Sequence, residues 1–332
     1  MAAAPRARDL PPVTAPLPLP FRPRRIVVGA SAHAELIAWL AARRPDLAFR
    51  GAPHTAITAD DLAWAEAYVG FRRPPAATTM GAVRWVHCTG AGVDSWLAGD
   101  GLDPAVLLTR TSESFGPMIA EWAVARVFAV QQQLPDLAAA QREARWAPRD
   151  LARVAGTRAL VVGTGDIGRA IAQRFDALGI AVTGVSRSGA PVDGPFRAVH
   201  RVAALPDLVG EADWIVLVVP ATRETQGLVS RAVLARCRGA VLLNAGRGAV
   251  VEEAALPEAL DLGWLRAAAL DVFVEEPLPP ASPLWRHPRV LVSPHFSGLT
   301  TTEGAGSGFL ECLAALEAGR LPKWQVDRLA GY

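Results

Sequence analysis

The chain has 332 residues, 51% of them hydrophobic, and a formal net charge of +2, so it is globular and long enough for two domains. Acidic and basic residues are interspersed and no apolar run reaches membrane-spanning length, which gives no reason to expect a nucleic acid or a membrane as partner. Three cysteines, Cys88, Cys237 and Cys312, lie far apart with neither CxxC nor metal spacing. They read as buried free thiols of a cytoplasmic protein without a metal site.

The first 25 residues hold five arginines and one aspartate, which leaves the remainder slightly acidic. Met1 to Pro20 is rich in Pro, Ala and Arg and lacks an apolar run, so it reads as a disordered tail, neither signal peptide nor span. Strands are then predicted at Arg25 to Gly29, Leu47 to Gly51, Ala67 to Phe71, Trp85 to Cys88 and Val106 to Thr109, with a helix at Ala34 to Arg43. From Pro117 to about Glu143 the pattern predicts one long helical element. Thr157 to Val162 reads as a strand, Arg169 to Leu178 as an amphipathic helix and Ile180 to Val185 as a strand. Further strands follow at Trp214 to Val219, Ala240 to Asn244, Ala267 to Leu270 and Val290 to Val292, and a last helix at Glu303 to Ala318. Strands alternating with helices predict an α/β protein with parallel sheets. If the last helix returns to the first domain, the second domain is an insertion, and a ligand cleft is expected between the two at the strands' carboxyl ends.

The turn Gly163-Thr164-Gly165-Asp166-Ile167-Gly168 carries the most information. A GxGxxG alone is weak, but here it joins a predicted strand to a predicted helix and a second strand, the context of a dinucleotide-binding fingerprint. Gly163 makes the tight turn, Gly165 lets a pyrophosphate approach the backbone, and Gly168 lets helix and strand pack closely, with Asp166 and Ile167 at the helix N-terminus. After the second strand, an NAD site offers an acidic residue to the ribose 2′-OH. This chain offers Ser186-Arg187-Ser188, which suits a 2′-phosphate, so NADP(H) is the expected cofactor, with NAD(H) still open.

Three ionisable residues follow predicted strands downstream of the fingerprint. Arg247, in Asn244-Ala245-Gly246-Arg247-Gly248, has small neighbours and can clamp a carboxylate in a bidentate way. Glu276 lies in Asp271-Val272-Phe273-Val274-Glu275-Glu276-Pro277, and His295 in Ser293-Pro294-His295. A carboxylate holds a histidine in one tautomer and favours its protonated form, which would make His295 a general acid for carbonyl reduction and base for the reverse. His33, His54, His87, His200 and His287 lack such context and read as structural or solvent-facing.

From about residue 85 onward the chain resembles the D-isomer-specific 2-hydroxyacid dehydrogenase family. The matching segments are GAGVD (Gly90 to Asp94), IAEW (Ile119 to Trp122), GTGDIG, NAGRG, DVFVEEPLPPASPLWRHPRV (Asp271 to Val290) and SPH. SRS after the second strand and the ending VDRLAGY are most similar to the glyoxylate/hydroxypyruvate reductase A type. The resemblance implies two flavodoxin/Rossmann-like domains: a substrate domain over 23–116 plus 298–332, and a nucleotide domain over 117–297, after a tail drawn at 1–22. It implies a homodimer, reduction of a small 2-oxo acid, and an Arg-Glu-His triad of Arg247, Glu276 and His295. It implies that Ala91, Gly92 and Val93 bind the substrate carboxylate through their N–H groups together with Arg247, and that His295 also contacts the substrate. Val219, Pro220, Ala245 and Asp271 are implied on the nicotinamide side, and Gly246 among the cofactor-binding residues. The chain departs from the reductase type at Phe71-Arg72-Arg73, where Trp-His is expected, and at Thr300-Thr301-Thr302, where an arginine is usual. A cofactor-sensing corepressor-like protein and a formate or phosphite dehydrogenase relative share the fold and remain alternatives.

Overall fold

The computed structural model describes residues 17–77, 79–99, 101–112 and 114–331. It divides into two compact units, one ending at Ser112 and resuming at Thr300, the other the continuous segment up to Leu299.

The first unit is built on five strands: β1 (Arg25–Gly29), β2 (Ala48–Ala52), β3 (Ala67–Val69), β4 (Trp85–Cys88) and β5 (Leu107–Arg110). All pair in parallel, in the order β2-β1-β3-β4-β5. That is the flavodoxin-like doubly wound order. Its central strands are continuous apolar runs because both faces are covered. Ile26, Val28, Val69 and Trp85 face helix His33–Arg43 and the last helix, Thr302–Glu317, whose Phe309, Leu313 and Leu316 complete that core. Val27, Tyr68, Val86 and Cys88 pack on the opposite side with Leu62 and Trp96. The alternation follows the two-residue period of a strand.

Trp85 stacks on Phe309 with ring centroids 4.9 Å apart. Beneath that stack His87 is wholly buried, its Nδ1 2.9 Å from Thr109 Oγ1 and its Nε2 3.0 Å from Thr111 Oγ1. Burial pushes the imidazole pKa down to about 3, so this histidine is neutral.

The expected tail over 1–22 falls mostly outside the described residues, and its described end is not disordered. Leu17 is buried in the first unit's core, and the Phe21 N–H donates to the Leu316 carbonyl at 3.0 Å. A segment read as rich in Pro, Ala and Arg and without an apolar run thus contains an apolar anchor in Leu17.

The second unit holds seven parallel strands: β6 (Arg158–Val162), β7 (Ala181–Ser186), β8 (Phe196–Arg201), β9 (Trp214–Leu217), β10 (Ala240–Asn244), β11 (Leu265–Leu270) and β12 (Val290–Val292). Their order is β12-β11-β10-β9-β6-β7-β8. From β6 the chain winds outward to β8, then returns to β9 and winds outward the other way. The reversal between β6 and β9 is the switch point at which such sheets bind ligands.

The short helices Leu205–Leu208, Arg231–Leu234 and Leu256–Asp261 stand where the sequence reading had loops, and two further elements differ from it. β8 was not expected, because FRAVHR is an edge strand with no fully buried residue and therefore no apolar signature. The expected single helix from Pro117 is two helices, Gly116–Gln131 and Leu134–Arg142. Gln133 breaks it with a left-handed φ of 52°, and Pro135, lacking an N–H, fits the first turn of a new helix better than the interior of an old one.

Candidate active site

β6 delivers the chain to Gly163, whose φ of 108° is a glycine conformation. A Cβ there would stand 2.7 Å from the Val218 carbonyl oxygen, at the gap between β6 and β9. At Gly168 a Cβ would lie 1.8 Å from the Gly163 carbonyl oxygen, so only glycine seats helix Asp166–Ala177 against the turn. Gly165 is different. Its φ of −72° suits any residue, and a Cβ would meet no protein atom within 4 Å. Its bareness serves open space in front of a helix whose first turn no side chain caps. The first N–H groups of a helix lack intrahelical acceptors. Open space, uncapped amides and a positive dipole end together fit a dinucleotide pyrophosphate.

At the end of β7, Ser186 Oγ accepts the Gly189 N–H at 3.0 Å and Ser188 Oγ accepts the Ala190 N–H at 3.1 Å. Both hydroxyls keep a hydrogen to donate. Arg187, between them, is exposed, and residues 186–189 include no acidic side chain.

Arg247 follows β10 on a loop fixed by Asn244, which is 1% exposed. The Asn244 Oδ1 accepts the Gly246 N–H and its Nδ2 donates to the Arg247 carbonyl, each at 3.1 Å. The glycines on either side set the loop's place. A Cβ on Gly246 would lie 2.8 Å from the Val219 carbonyl oxygen, and one on Gly248 1.9 Å from the Phe273 carbonyl carbon. Arg247 therefore stands between the Val219-Pro220 segment after β9 and the Phe273-to-Glu276 segment after β11. Its Nη1 donates to the Gly246 carbonyl at 2.7 Å. The Ala245 N–H continues the β9 pairing, donating to the Leu217 carbonyl at 3.1 Å.

Glu276 is oriented by the Phe273 N–H, which donates to its Oε1 at 3.0 Å. Its Oε2 lies 2.7 Å from His295 Nδ1. A carboxylate only accepts, so Nδ1 carries hydrogen and Nε2 is the nitrogen that can exchange a proton. No group among the described residues holds Nε2, and the imidazole remains 44% exposed.

Asp271, expected on the nicotinamide side, is wholly buried, with its carboxylate turned to the histidine loop. Oδ1 accepts from Ser293 Oγ at 2.5 Å and the Phe296 N–H at 3.2 Å, and Oδ2 accepts the Ser297 N–H at 2.9 Å. Trp122 Nε1 donates to Ser293 Oγ at 3.0 Å, tying the IAEW segment into the same network. The sequence reading missed Ser293, Trp122 and Asn244 as parts of this scaffold, although each lies inside a quoted motif.

In the first unit, the Gly90-to-Asp94 loop packs on Phe71, which a Cβ on Gly90 would approach to 2.5 Å. Arg110 Nη1 donates to the Ala91 carbonyl at 2.8 Å. The N–H groups of Ala91, Gly92 and Val93 meet no acceptor among the described residues. Adjacent free amides form a concavity for an anion. Of the other histidines, His33 bonds the Ala30 carbonyl at 3.0 Å and His287 lies 3.4 Å from Asp261. The three cysteines are buried thiols. Burial pushes the pKa up to about 12 at Cys88 and Cys312 and about 11 at Cys237. No helix among the described residues is long and apolar enough to cross a membrane.

Comparison with known proteins shows the family to which the chain belongs. Residues 124–297 match the family described as D-isomer specific 2-hydroxyacid dehydrogenase, NAD binding domain. The chain is 34% identical over 271 residues to the glyoxylate/hydroxypyruvate reductase A of Serratia proteamaculans, covering 78% of this chain and 86% of that one. A D-isomer specific 2-hydroxyacid dehydrogenase from Xanthobacter autotrophicus, solved with NADPH and MES, superimposes with a TM-score of 0.84 at 33% identity, over 93% of this chain and 100% of that one. An NADPH-dependent glyoxylate/hydroxypyruvate reductase from Sinorhizobium meliloti, solved with NADP and sulfate, gives a TM-score of 0.82 at 28% identity, over 93% and 99%. The chain belongs to the D-isomer specific 2-hydroxyacid dehydrogenase family and is an NAD(P)-dependent oxidoreductase.

Proposed function

We propose that the chain reduces a small 2-oxo acid of the glyoxylate or hydroxypyruvate kind to the D-2-hydroxy acid, preferring NADPH to NADH. The observation that carries this reading is the 2.7 Å contact between His295 and Glu276, in the unit that also presents the nucleotide fingerprint and Arg247. When bound, the reduced nicotinamide supplies the hydride for the carbonyl carbon. His295 donates the proton to the carbonyl oxygen from Nε2, while Glu276 accepts from Nδ1 and fixes the ring and its tautomer. Arg247 holds the substrate carboxylate and draws electron density from the carbonyl. Ser186, Arg187 and Ser188 favour a 2′-phosphate, in keeping with the nucleotides bound by the Xanthobacter and Sinorhizobium proteins.

The test is His295→Asn. His295 has a left-handed φ of 51°, and asparagine tolerates that backbone better than alanine. NADPH oxidation with glyoxylate or hydroxypyruvate should fall by about 10²–10⁴-fold, the usual contribution of a general acid. NADPH affinity, measured by fluorescence titration, should stay unchanged. A variant that keeps its activity within a few-fold would remove His295 from the chemistry.

A further inference from the structure

The two strands beyond the fingerprint bring a second arginine to the place where Arg187 stands. β7 and β8 run in parallel, with Ser186 opposite Arg201. Both strands therefore end at the same edge of the sheet as the glycine turn after β6. The chain leaves β7 through Ser186-Arg187-Ser188-Gly189 and folds back over β8. Gly189, at φ 68°, has its N–H on Ser186 Oγ. A Cβ at Gly189 would stand 2.7 Å from Arg201 Cγ and 2.8 Å from the Arg201 backbone nitrogen. The Ser186-to-Gly189 turn thus rests directly on the stem of Arg201.

The state of that guanidinium matters as much as its place. Arg201 is exposed, and among the described residues no carboxylate, carbonyl or ring holds it. Two other exposed arginines of the same unit are paired, Arg231 with Glu258 at 2.6 Å and Arg236 with Asp207 at 2.7 Å. The charged groups of the connection between β7 and β8 and of β8 itself are Arg187, Asp193, Arg197 and Arg201, with His200 beside them. Positive charge predominates. Arg169, in the first turn of the fingerprint helix, adds to it, since a Cβ on Gly194 would stand 3.8 Å from its Cγ.

We infer that Arg201 forms, with Arg187, a two-guanidinium site for the 2′-phosphate of the nicotinamide cofactor, and so helps to set cofactor choice. This rests on the reading that the chain prefers NADPH. The chemistry is that of a phosphate monoester dianion: one exposed arginine leaves part of its charge to water, whereas two planar forks can each make charge-assisted hydrogen bonds to its oxygens. β8, which the sequence hid, is what supplies the second fork.

The experiment is calorimetric binding of 2′,5′-ADP and 5′-AMP to the wild-type protein, R201Q, R201K and R187Q, with no substrate present. The wild type should bind 2′,5′-ADP more tightly than 5′-AMP. R201Q should lose about tenfold or more for 2′,5′-ADP, the scale of one hydrogen bond to a charged group, with 5′-AMP unchanged. R201K, which keeps the charge but not the fork, should fall between. The NADPH-to-NADH ratio of kcat/KM should fall in step. If R201Q binds 2′,5′-ADP within twofold of the wild type while R187Q does not, Arg201 is outside the site and the inference is overturned. If the wild type fails to distinguish the two ligands, the NADPH preference is wrong and the inference goes with it.

Discussion

His295 is held in a conformation that costs a residue with a Cβ about 1–2 kcal/mol. Such a conformation persists only where its surroundings over-determine it. Here they do: the His295 N–H bonds the Asp271 carbonyl at 2.8 Å, Glu276 takes Nδ1, and the Asp271 carboxylate takes the next two amides. Asp271→Asn keeps the shape but leaves three donors facing one good acceptor. We expect a loss of about 1–3 kcal/mol in urea unfolding, the scale of a buried donor left unsatisfied, together with a lower kcat. Unchanged stability would show that the carboxylate does not anchor the loop. The meeting of Glu276 and His295 was expected from the sequence because Glu276 stands in a long motif and His295 in a short one after a strand. The commitment of Asp271 was not, because a carboxylate after a strand reads the same whether it faces a ligand or a loop more than twenty residues on.

Elements were legible where burial leaves a pattern. β6, β9 and β10 each hold a continuous buried run of four apolar residues and were found within two residues. β8, half wet at the sheet's edge, was not, and the break at Gln133 depends on a backbone angle that glutamine does not advertise. The strand–turn–helix unit of the fingerprint permits a sharper test, because its glycines serve different ends. Gly168→Ala would force a Cβ to 1.8 Å from a carbonyl oxygen, so both thermal stability and nucleotide binding should drop. Gly165→Ala meets no protein atom within 4 Å, so its melting temperature should hold while nucleotide affinity falls at least about tenfold. Equal affinity in the Gly165→Ala variant would place the pyrophosphate elsewhere.

At the scale of the molecule, stability against acid should carry the mark of His87. Its pKa is about 3 in the folded protein against an ordinary 6.5. Between those values the unfolded chain takes up a proton that the folded chain refuses, so stability falls as pH drops through the window and this group's contribution levels off below it. The slope from this one group is about 1.4 kcal/mol per pH unit. Urea unfolding from pH 7 to 4 should show it, and His87→Asn should flatten the curve in that range whatever it does to stability at pH 7. An unaltered slope would mean that the imidazole is not held neutral. Room for two domains was legible in the length of the chain, whereas the threonine cage around His87 depends on packing across strands and left no trace in the sequence.

The first unit borrows its last core helix from the far end of the chain. Phe309, Leu313 and Leu316 are made only after the whole of the second unit has been synthesised. On the ribosome, the early strands must wait with one face of their sheet uncovered, while the contiguous segment between can close its own core first. The unit that is begun first is thereby the last whose core can be completed. A stop codon anywhere before Thr302 leaves an apolar sheet face exposed, a substrate for chaperones and proteases, rather than a shortened enzyme.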